Sequence, residues 1–333
     1  MNDEAITLIP FSSRSAWEQA TLGSLPSQSW GHASGLVAGG IMAELAVVRS
    51  QGARMLLPFH RRQFDGATDI VTLPGLSGAL ISPTSAAPIE AWSRFAKSQG
   101  WVCGYIQLSP LNDALDPPLQ PDEIRSNNAL YVFDLETWKI GSSVGYNMRR
   151  KLRVGDHLGA KLITDPERLA EAFPRLYLDH LTLMGSAPDF TENALEQWFA
   201  APGILAFGAE LNGQIVNIQM GRRHGTWADL HLAGATPEGR ELQAWLIWQA
   251  IESLGRDGLY RLNIGGYGSH GDQLHWMKAR FGANEHPLRA LRQIYDPARF
   301  AQLCHQTGAD PQASFFPPYR GAMLPGPTPQ PQS

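Results

Sequence analysis

A glycine-rich segment, GGYGSHGD at residues 265–272, and the lysine that follows it are the residues best suited to chemistry. A histidine has an ordinary pKa near neutrality, so His270 can take a proton from a nucleophile. Asp272 can cap the helix predicted for DQLHWMKARFG, and Lys278 on that helix can stabilise negative charge or hold a phosphate. The alternatives are a capped turn with an exposed histidine and a solvated surface lysine.

A second turn, GATPEGRE at residues 234–241, precedes another predicted helix. The first backbone N–H groups of a helix suit a phosphate, and Arg240 can add a charge-assisted hydrogen bond. The same residues fit an ordinary helix start, with Thr236 as the N-cap and Pro237 at the first position. These two interpretations are compatible with each other.

A third feature is a run of basic residues within YNMRRKLRVGDHLGAK, formed by Arg149, Arg150, Lys151 and Arg153. Such a run is most often a solvated helix face. Arginines also clamp phosphates with paired hydrogen bonds, and a nucleic-acid backbone would be attracted to the same place. Both interpretations stay open at this point.

Composition and charge exclude several classes of protein. The 333 residues are 43% apolar, which is enough for about two domains of ~150 residues. The net charge of −4 gives no global attraction to nucleic acid or anionic membrane. The sequence has no H-E-x-x-H or P-loop motif, which excludes the zinc proteases and NTPases that depend on them.

From the first residues and the cysteine spacing we expect neither a targeting signal nor a metal-ligand pattern. Asp3 and Glu4 stand where a signal peptide would be basic, and no apolar run reaches the ~18 residues of a membrane span. Cys103 and Cys304 lack metal-ligand spacing and cannot form a disulfide framework. We therefore expect a cytoplasmic protein without a metal site.

Two stretches of the chain repeat one pattern, ELAVVRSQGARMLLPFHRR at 44–62 and LAFGAELNGQIVNIQMGRR at 205–223. Each predicts a strand, a tight turn and a second strand, and Asn212-Gly213 is a strong hairpin signal because both turn positions tolerate positive φ. The offset is 161, which matches Arg61 and Arg62 with Arg222 and Arg223.

The elements after each hairpin repeat as well. A predicted helix and a buried strand follow in both halves, IEAWSRFAKSQG with WVCGYIQL and ELQAWLIWQAIESLGRDG with LYRLNIGG. Hairpins followed by helices are common, but the shared order favours a duplication. We expect one domain over residues 1–140, a second over 141–304, and a mobile Pro-rich tail over 305–333.

The second half of the chain resembles the FemAB-like branch of the GNAT acyltransferases in the order of four segments. These are the basic helix, the hairpin AFGAELNGQIVNIQM, the strand end LNIGGYG and the segment LHWMKARFG. The best matches are the RRKLR helix and a closing K-x-x-F-G signature, here Lys278, Phe281 and Gly282. This resemblance implies an α/β fold of two tandem GNAT-like domains. Each domain would have a mixed, mostly antiparallel sheet flanked by helices.

The resemblance also implies transfer of an acyl or aminoacyl group to an amine. We expect acyl-CoA as the co-substrate, because the net charge is negative and Met277 replaces the Phe of tRNA-dependent members. The alternatives are an aminoacyl-tRNA donor, or a binding protein that kept the fold without turnover, which the unmatched CoA-pyrophosphate motif favours. The acceptor is a small-molecule or cell-envelope-precursor amine, and no tightly bound cofactor is expected.

From these patterns and the resemblance we expect the active site in the second domain, where the turn 234–241 and the loop 265–272 would line one cleft. Three sets of residues are predicted to serve it: catalytic Lys278, His270 and Asp272; donor-binding Gly234, Thr236, Gly239, Arg240, Gly265 and Gly266; and substrate-binding Arg149, Arg150, Arg153 and Tyr267, beside the acceptor or the donor.

Overall fold

The computed structural model describes residues 4–76, 78–109, 123–139, 144–186, 190–266 and 273–321. The strands of this part of the chain form one mixed sheet. Their bounds are β1 Ala5–Pro10, β2 Ala43–Ser50, β3 Ala53–Phe64, β4 Ala67–Thr72, β5 Leu80–Ser82, β6 Cys103–Leu108, β7 Glu123–Asp134, β8 Lys161–Ile163, β9 Ile204–Leu211, β10 Gln214–His224, β11 Trp227–Ala235, β12 Arg261–Asn263 and β13 Asn284–Ile294.

Helices flank this sheet. Two 3₁₀ turns, Pro26–Gln28 and Gly239–Leu242, precede α2 and α8. The α-helices are α1 Arg14–Ala20, α2 Trp30–Ala38, α3 Ala87–Ser98, α4 Tyr146–Leu152, α5 Val154–Leu158, α6 Pro166–Leu183, α7 Glu192–Ala200, α8 Gln243–Arg256, α9 Gln273–Arg280, α10 Pro297–Thr307 and α11 Pro318–Gly321.

The sheet consists of two halves with the same strand order. The first half runs β1-β2-β3-β4-β6 and the second β8-β9-β10-β11-β12. In each half the first four strands are antiparallel, whereas the last two are parallel and are connected by a long helix, α3 or α8. The predicted repeat and the predicted fold class are therefore confirmed.

The last strand of each half pairs with a strand of the other half. β7 follows β6 along the chain but pairs with β12, and β13 follows β12 but pairs with β6. The two exchanged strands pair antiparallel with each other at the centre of the sheet. This exchange joins both halves into one sheet. The predicted boundary at residue 140 stays a prediction.

Both predicted hairpins are confirmed at their turns. Gln51 and Gly52 have φ of 51° and 78°, and Asn212 and Gly213 have φ of 52° and 79°. Two successive positive φ values match a turn that preserves the right-handed twist of the strands.

The predicted offset of 161 is wrong beyond these turns. β10 has 11 residues and β3 has 12, so the second half reaches its next turn one residue sooner. As a result Arg62 lies opposite Asp69 and Arg222 lies opposite Asp229, which is an offset of 160.

Three large apolar cores hold the sheet between its helices. The core under α3 belongs to the first half and the core under α8 to the second, with Trp92 and Trp245 as their respective buried anchors. The third core lies between α2, α6 and α7 and draws residues from both halves. Within the described ranges, no helix combines the length and the apolar character that a membrane span requires.

The C-terminal segment differs from the predicted mobile tail as far as Gly321. Phe300 and Phe316 stack with ring centroids 5.8 Å apart, and Tyr319 is fully buried against the first half. The proline content of the segment predicts disorder, but these aromatic side chains bury enough surface to order it. Residues 322–333 lie outside the described residues.

Candidate active site

The loop after β4 and the loop after β12 meet where the two halves of the sheet join. This place is called the junction below. A Cβ built on Gly265, after β12, would lie 3.7 Å from Cδ1 of Leu76, after β4. The backbone N–H of Leu76 donates to Ser27 Oγ at 3.0 Å, and Ser27 Oγ donates to Asp229 Oδ2 at 3.3 Å. Ligands of open α/β sheets bind outside the carboxyl ends of parallel strands, so this junction is the candidate active site.

Strands β11 and β12 separate at this junction. They pair only over Trp227–Asp229 and Arg261–Asn263, after which β11 continues to Ala235. β11 also carries a bulge at His231, because Gly221 lies opposite Leu230 while Met220 lies opposite Leu232. Bulges bend a strand and are frequent beside active sites. The bend and the short pairing together open the sheet here.

Lys278 from α9 reaches the end of β12. Its side chain is only 6% exposed, and its Nζ donates to the carbonyl oxygens of Ile264 at 2.5 Å and Gly266 at 2.6 Å. The alternative of a solvated surface lysine is therefore wrong. The ammonium fixes the backbone of this segment and places a positive charge at the junction, and its predicted role in catalysis stays a prediction.

The glycine-rich segment is described only at its start. Gly265 has φ of 73°, and its N–H donates to Asn263 Oδ1 at 2.9 Å. Three of the predicted site residues, Tyr267, His270 and Asp272, lie outside the described residues.

Tyr131 and His275 form a hydrogen bond near this site, and neither residue was predicted from the sequence. Tyr131 Oη lies 2.8 Å from His275 Nδ1, and the backbone of Tyr131 pairs with Ile264 and Gly265. His275 stands three positions before Lys278 on α9. The i, i+3 spacing of a helix would have identified it as a neighbour of that lysine.

The turn expected to bind the donor phosphate is packed against the protein. A Cβ on Gly234 would lie 2.8 Å from backbone atoms of Leu176 and Tyr177, and one on Gly239 would overlap the Val216 carbonyl oxygen. These two glycines therefore permit close packing, while their predicted role in binding stays a prediction.

The hydrogen bonds of this turn are largely internal. Thr236 Oγ1 accepts from the N–H of Gly239 at 3.0 Å, which agrees with the N-cap interpretation. The backbone N–H groups of Thr236, Arg240 and Glu241 donate to protein carbonyls. The side chain of Arg240 is exposed.

A surface groove of about 610 Å³ opens beside Thr236. Its rim carries charges of both signs, among them Arg168 and Arg175 from α6. Arg168 is already paired with Glu210 at 2.7 Å. The groove is thus a mixed surface rather than a basic one.

The basic run lies on α4 and on Arg153, which follows it, and Lys151 of this run contacts α9. Arg150, Lys151 and Arg153 are exposed, and Arg149 is half-buried. An exposed tryptophan of α9, Trp276, lies close to two cations, with Lys151 Nζ 4.8 Å and Arg280 Cζ 4.0 Å from the centroid of its ring. Lys151, Trp276 and Arg280 are together called the tryptophan patch below.

Two histidine rings face each other across the junction. His32 from α2 and His231 at the bulge have ring centroids 5.5 Å apart. His32 Nε2 donates to the carbonyl oxygen of Pro74 at 2.6 Å, whereas both ring nitrogens of His231 are buried without a hydrogen-bond partner among the residues that the structure describes. Burial lowers the pKa of His32 to about 3, and burial and Arg222 lower the pKa of His231 to about 4. Both rings are therefore neutral at pH 7.

No model of a known protein family matches the sequence, and no curated protein matches it significantly either. Solved structures do match. FemX is 10% identical with a TM-score of 0.60, over 86% of this chain and 96% of that one. The C-terminal domain of a protein from Agrobacterium fabrum, described as a lysylphosphatidylglycerol synthetase, is 13% identical with a TM-score of 0.56, over 84% and 91%.

A third structure, L-PGS from Bacillus licheniformis, is 14% identical with a TM-score of 0.50, over 72% of this chain and 81% of that one. The agreement with FemX extends over nearly the whole length of both chains, and the two similar halves described above account for that length. The chain therefore has the FemAB-like fold that the sequence resemblance implies.

Proposed function

We propose that the protein is an acyltransferase that joins an acyl group to an amine at the junction of the two halves. The observation that carries this proposal is the separation of β11 and β12 at the place where the carboxyl ends of both parallel pairs meet. Strand edges that face a gap can hydrogen bond to an extended chain. An acyl donor laid between these two strands would bring its carbonyl to the junction.

The chemistry requires a deprotonated amine and stabilisation of the oxyanion formed on attack. Lys278 provides a buried positive charge and holds the backbone of Ile264 and Gly266 in place. We assign it to the oxyanion. His270 and Asp272 complete the proposed catalytic group, with His270 as the base.

The donor that we propose is an aminoacyl-tRNA. The tryptophan patch combines Trp276 and Arg280 of α9, the helix that also carries Lys278, with Lys151 of α4, so two cations lie close to an exposed aromatic ring. Aromatic rings stack with bases, and arginine and lysine attract phosphates, so this patch suits the single-stranded end of an RNA.

Two further observations support this donor over acyl-CoA. The turn 234–241, where a CoA pyrophosphate would bind, already uses several of its N–H groups within the protein. The Agrobacterium fabrum protein of the same fold is described as a synthetase of a lysyl compound, which fits an aminoacyl donor. The acceptor remains an amine, either a small molecule or a cell-envelope precursor.

The test is a transfer assay read by mass spectrometry. The purified full chain is incubated with a panel of primary amines and with bulk charged tRNA or with a panel of acyl-CoAs. The proposal expects new amide products with charged tRNA. Products with acyl-CoA alone would overturn the proposed donor and restore the expected co-substrate, and no product with either donor would favour the non-catalytic alternative.

A further inference from the structure

Tyr131 on β7 is connected to both sides of the Lys278 contact. Its backbone N–H donates to the carbonyl oxygen of Gly265 at 3.2 Å, and its carbonyl oxygen accepts from the N–H of Ile264 at 2.9 Å. Its hydroxyl lies 2.8 Å from His275 Nδ1 on α9, and the residue is 1% exposed. One buried residue thus holds the strand end that accepts from Lys278 and also the helix that carries Lys278.

The other end of α9 is held by Trp138, which follows β7. Trp138 Nε1 donates to the carbonyl oxygen of Phe281 at 2.8 Å, and the N–H of Phe281 donates to the carbonyl oxygen of Lys278 at 3.1 Å. Phe281 is fully buried, and its ring lies 5.7 Å from that of Phe133 at an angle of 74°. An edge-to-face pair and a buried hydrogen bond therefore fix the residue that follows α9.

Trp138 is itself held in place by Asp134, the last residue of β7. One carboxylate oxygen accepts from the N–H groups of Glu136 and Thr137 at 3.1 and 3.2 Å, which forms a turn. The carbonyl oxygen of Asp134 accepts from the N–H of Trp138 at 2.9 Å. The other carboxylate oxygen pairs with Arg261 on β12 at 2.9 Å. Strand β7 and its turn are therefore a support that is fixed to β12 and contacts α9 at both ends.

Such a support matters for a lysine that acts on an oxyanion. A donor stabilises the oxyanion only at about 2.7–3.1 Å, and a misplacement of about 1 Å can cost 100-fold in rate. The ammonium of a lysine stands on a flexible stem, so its position depends on the position of its helix. The residues bonded to β7 and its turn, His275 and Phe281, stand three positions before and three positions after Lys278.

We propose that Tyr131 and Trp138 are positioning residues for acyl transfer. They hold α9 at its two ends and so keep the Lys278 ammonium at the junction, where the oxyanion forms. This inference rests on the proposed function. Each of the two side chains acts through Lys278 and touches no reacting atom.

The first experiment needs no substrate. The full chain is treated with acetic anhydride, and mass spectrometry gives the acetylation rate of Lys278 relative to that of the exposed Lys161. Loss of a buried hydrogen bond favours local opening of α9, so we expect Tyr131→Phe to raise this ratio by about 5-fold. Trp138→Phe should act in the same way. An unchanged ratio in both variants would overturn the proposal.

Tyr295→Phe is the matched control. Tyr295 is 3% exposed in the core under α3, and its hydroxyl donates to Gln293 at 2.9 Å. The control and Tyr131→Phe each lose a buried hydroxyl, so we expect similar falls in Tm, at most about 4 °C. Only Tyr131→Phe should raise the acetylation of Lys278. An equal rise in Tyr295→Phe would mean a general loss of stability and would overturn the proposal.

The second experiment is a double-mutant cycle on the kinetics of transfer. We expect Tyr131→Phe to lower kcat by about 10-fold while the KM for the amine stays the same, and Tyr295→Phe to keep both constants. In the Lys278→Ala background, Tyr131→Phe should lower kcat by less than about 2-fold, because its effect requires the lysine.

Two outcomes of this cycle separate the positioning role from the proposed function. Losses in kcat that multiply would show that Tyr131 acts independently of Lys278, which would overturn the proposal while leaving the acyltransferase intact. If the wild type shows no transfer, the proposed function fails. The acetylation ratios then still decide whether Tyr131 and Trp138 hold Lys278 in place.

Discussion

Lys278 Nζ lies 2.5 Å from the carbonyl oxygen of Ile264, the residue that follows β12. A lysine on α9 is thereby fixed to the end of a strand beside the gap in the sheet. This contact explains how a basic side chain can be buried at the junction, since carbonyl oxygens replace its hydration.

We expect Lys278→Ala to lower kcat by about 100-fold to 1000-fold with a small change in KM, because a preorganised oxyanion donor acts on the transition state. Lys278→Arg should not restore the rate, since a planar guanidinium places its donors differently. Steady-state kinetics measure both variants. Lys161→Ala, at an exposed lysine on β8, is the control. A folded Lys278→Ala enzyme with wild-type kcat would contradict the assignment.

Trp276 should contribute to the binding of the donor. Stacking with a base is worth about 1–3 kcal/mol, so Trp276→Ala should weaken the binding of charged tRNA by roughly 5-fold to 150-fold. Filter binding at several salt concentrations measures this effect, and Lys151→Ala should reduce the salt dependence. Tyr260→Ala removes another exposed aromatic ring and should bind as the wild type does. An equal loss of affinity for charged tRNA in Trp276→Ala and Tyr260→Ala would argue against the tryptophan patch as the binding site of the donor.

The packing of α2 against α7 depends on Gly35. A Cβ at this position would overlap Cδ1 of Trp198, whose indole N–H also donates to His32 O at 2.7 Å. We expect Gly35→Ala to lower the free energy of unfolding by about 1–3 kcal/mol through overpacking. Gly255→Ala is the control, and we expect it to change the free energy of unfolding in the opposite direction.

In the described part of the chain, no atom lies within 4 Å of a Cβ built on Gly255, a helical position in α8. Alanine there should therefore raise the free energy of unfolding by about 0.5–1 kcal/mol. Chemical denaturation measures both variants. If Gly35→Ala is as stable as the wild type, the close contact between α2 and α7 is not present in solution.

His32 and His231 should make stability depend on pH. The pKa of His32 is lowered to about 3 and that of His231 to about 4, from an ordinary value of 6.5. Between pH 6.5 and about 4 the unfolded chain binds protons that the folded chain does not bind. Stability is therefore fully present above pH 6.5 and falls as the pH drops through that window. Each histidine lowers the free energy of unfolding by about 1.4 kcal/mol for every pH unit within it.

Thermal unfolding between pH 4 and pH 8 measures this dependence. His231→Leu should make the dependence of stability on pH less steep, because one of the histidines that reject a proton is gone. The change is partial, since burial also lowers the pKa of His60 to about 4. His305→Leu, at an exposed histidine of α10, should leave the curve unchanged. A wild-type curve that is flat between pH 4.5 and 6.5 would show that these rings are accessible to protons in the folded protein.

The sequence predicts local structure well and long-range pairing poorly, for a physical reason. Asn212-Gly213 specifies its hairpin because the conformation needed at those positions is a property of those residues. The exchange of β7 and β13 between the halves follows from no local pattern. Each strand has the same alternation of apolar and polar residues whichever neighbouring strand it pairs with.

The same limit applies to the candidate site. Lys278 could be identified from its motif, and His275 from its spacing to that lysine. Ser27 and Asp229 are separated by 202 positions, so their contact is visible only in the folded chain. The composition of the C-terminal segment predicts a tail because an average over many prolines hides the few aromatic residues that order it.

A crystal structure of the full chain with a stable amide analogue of an aminoacylated tRNA end tests the proposed donor and its site most directly. We expect the acyl group to lie between β11 and β12, beyond Asp229 and Asn263, with its carbonyl oxygen toward Lys278 and a base stacked on Trp276. An analogue bound in the groove beside Thr236, or a gap between β11 and β12 that is closed by protein, would show that transfer does not take place at this junction.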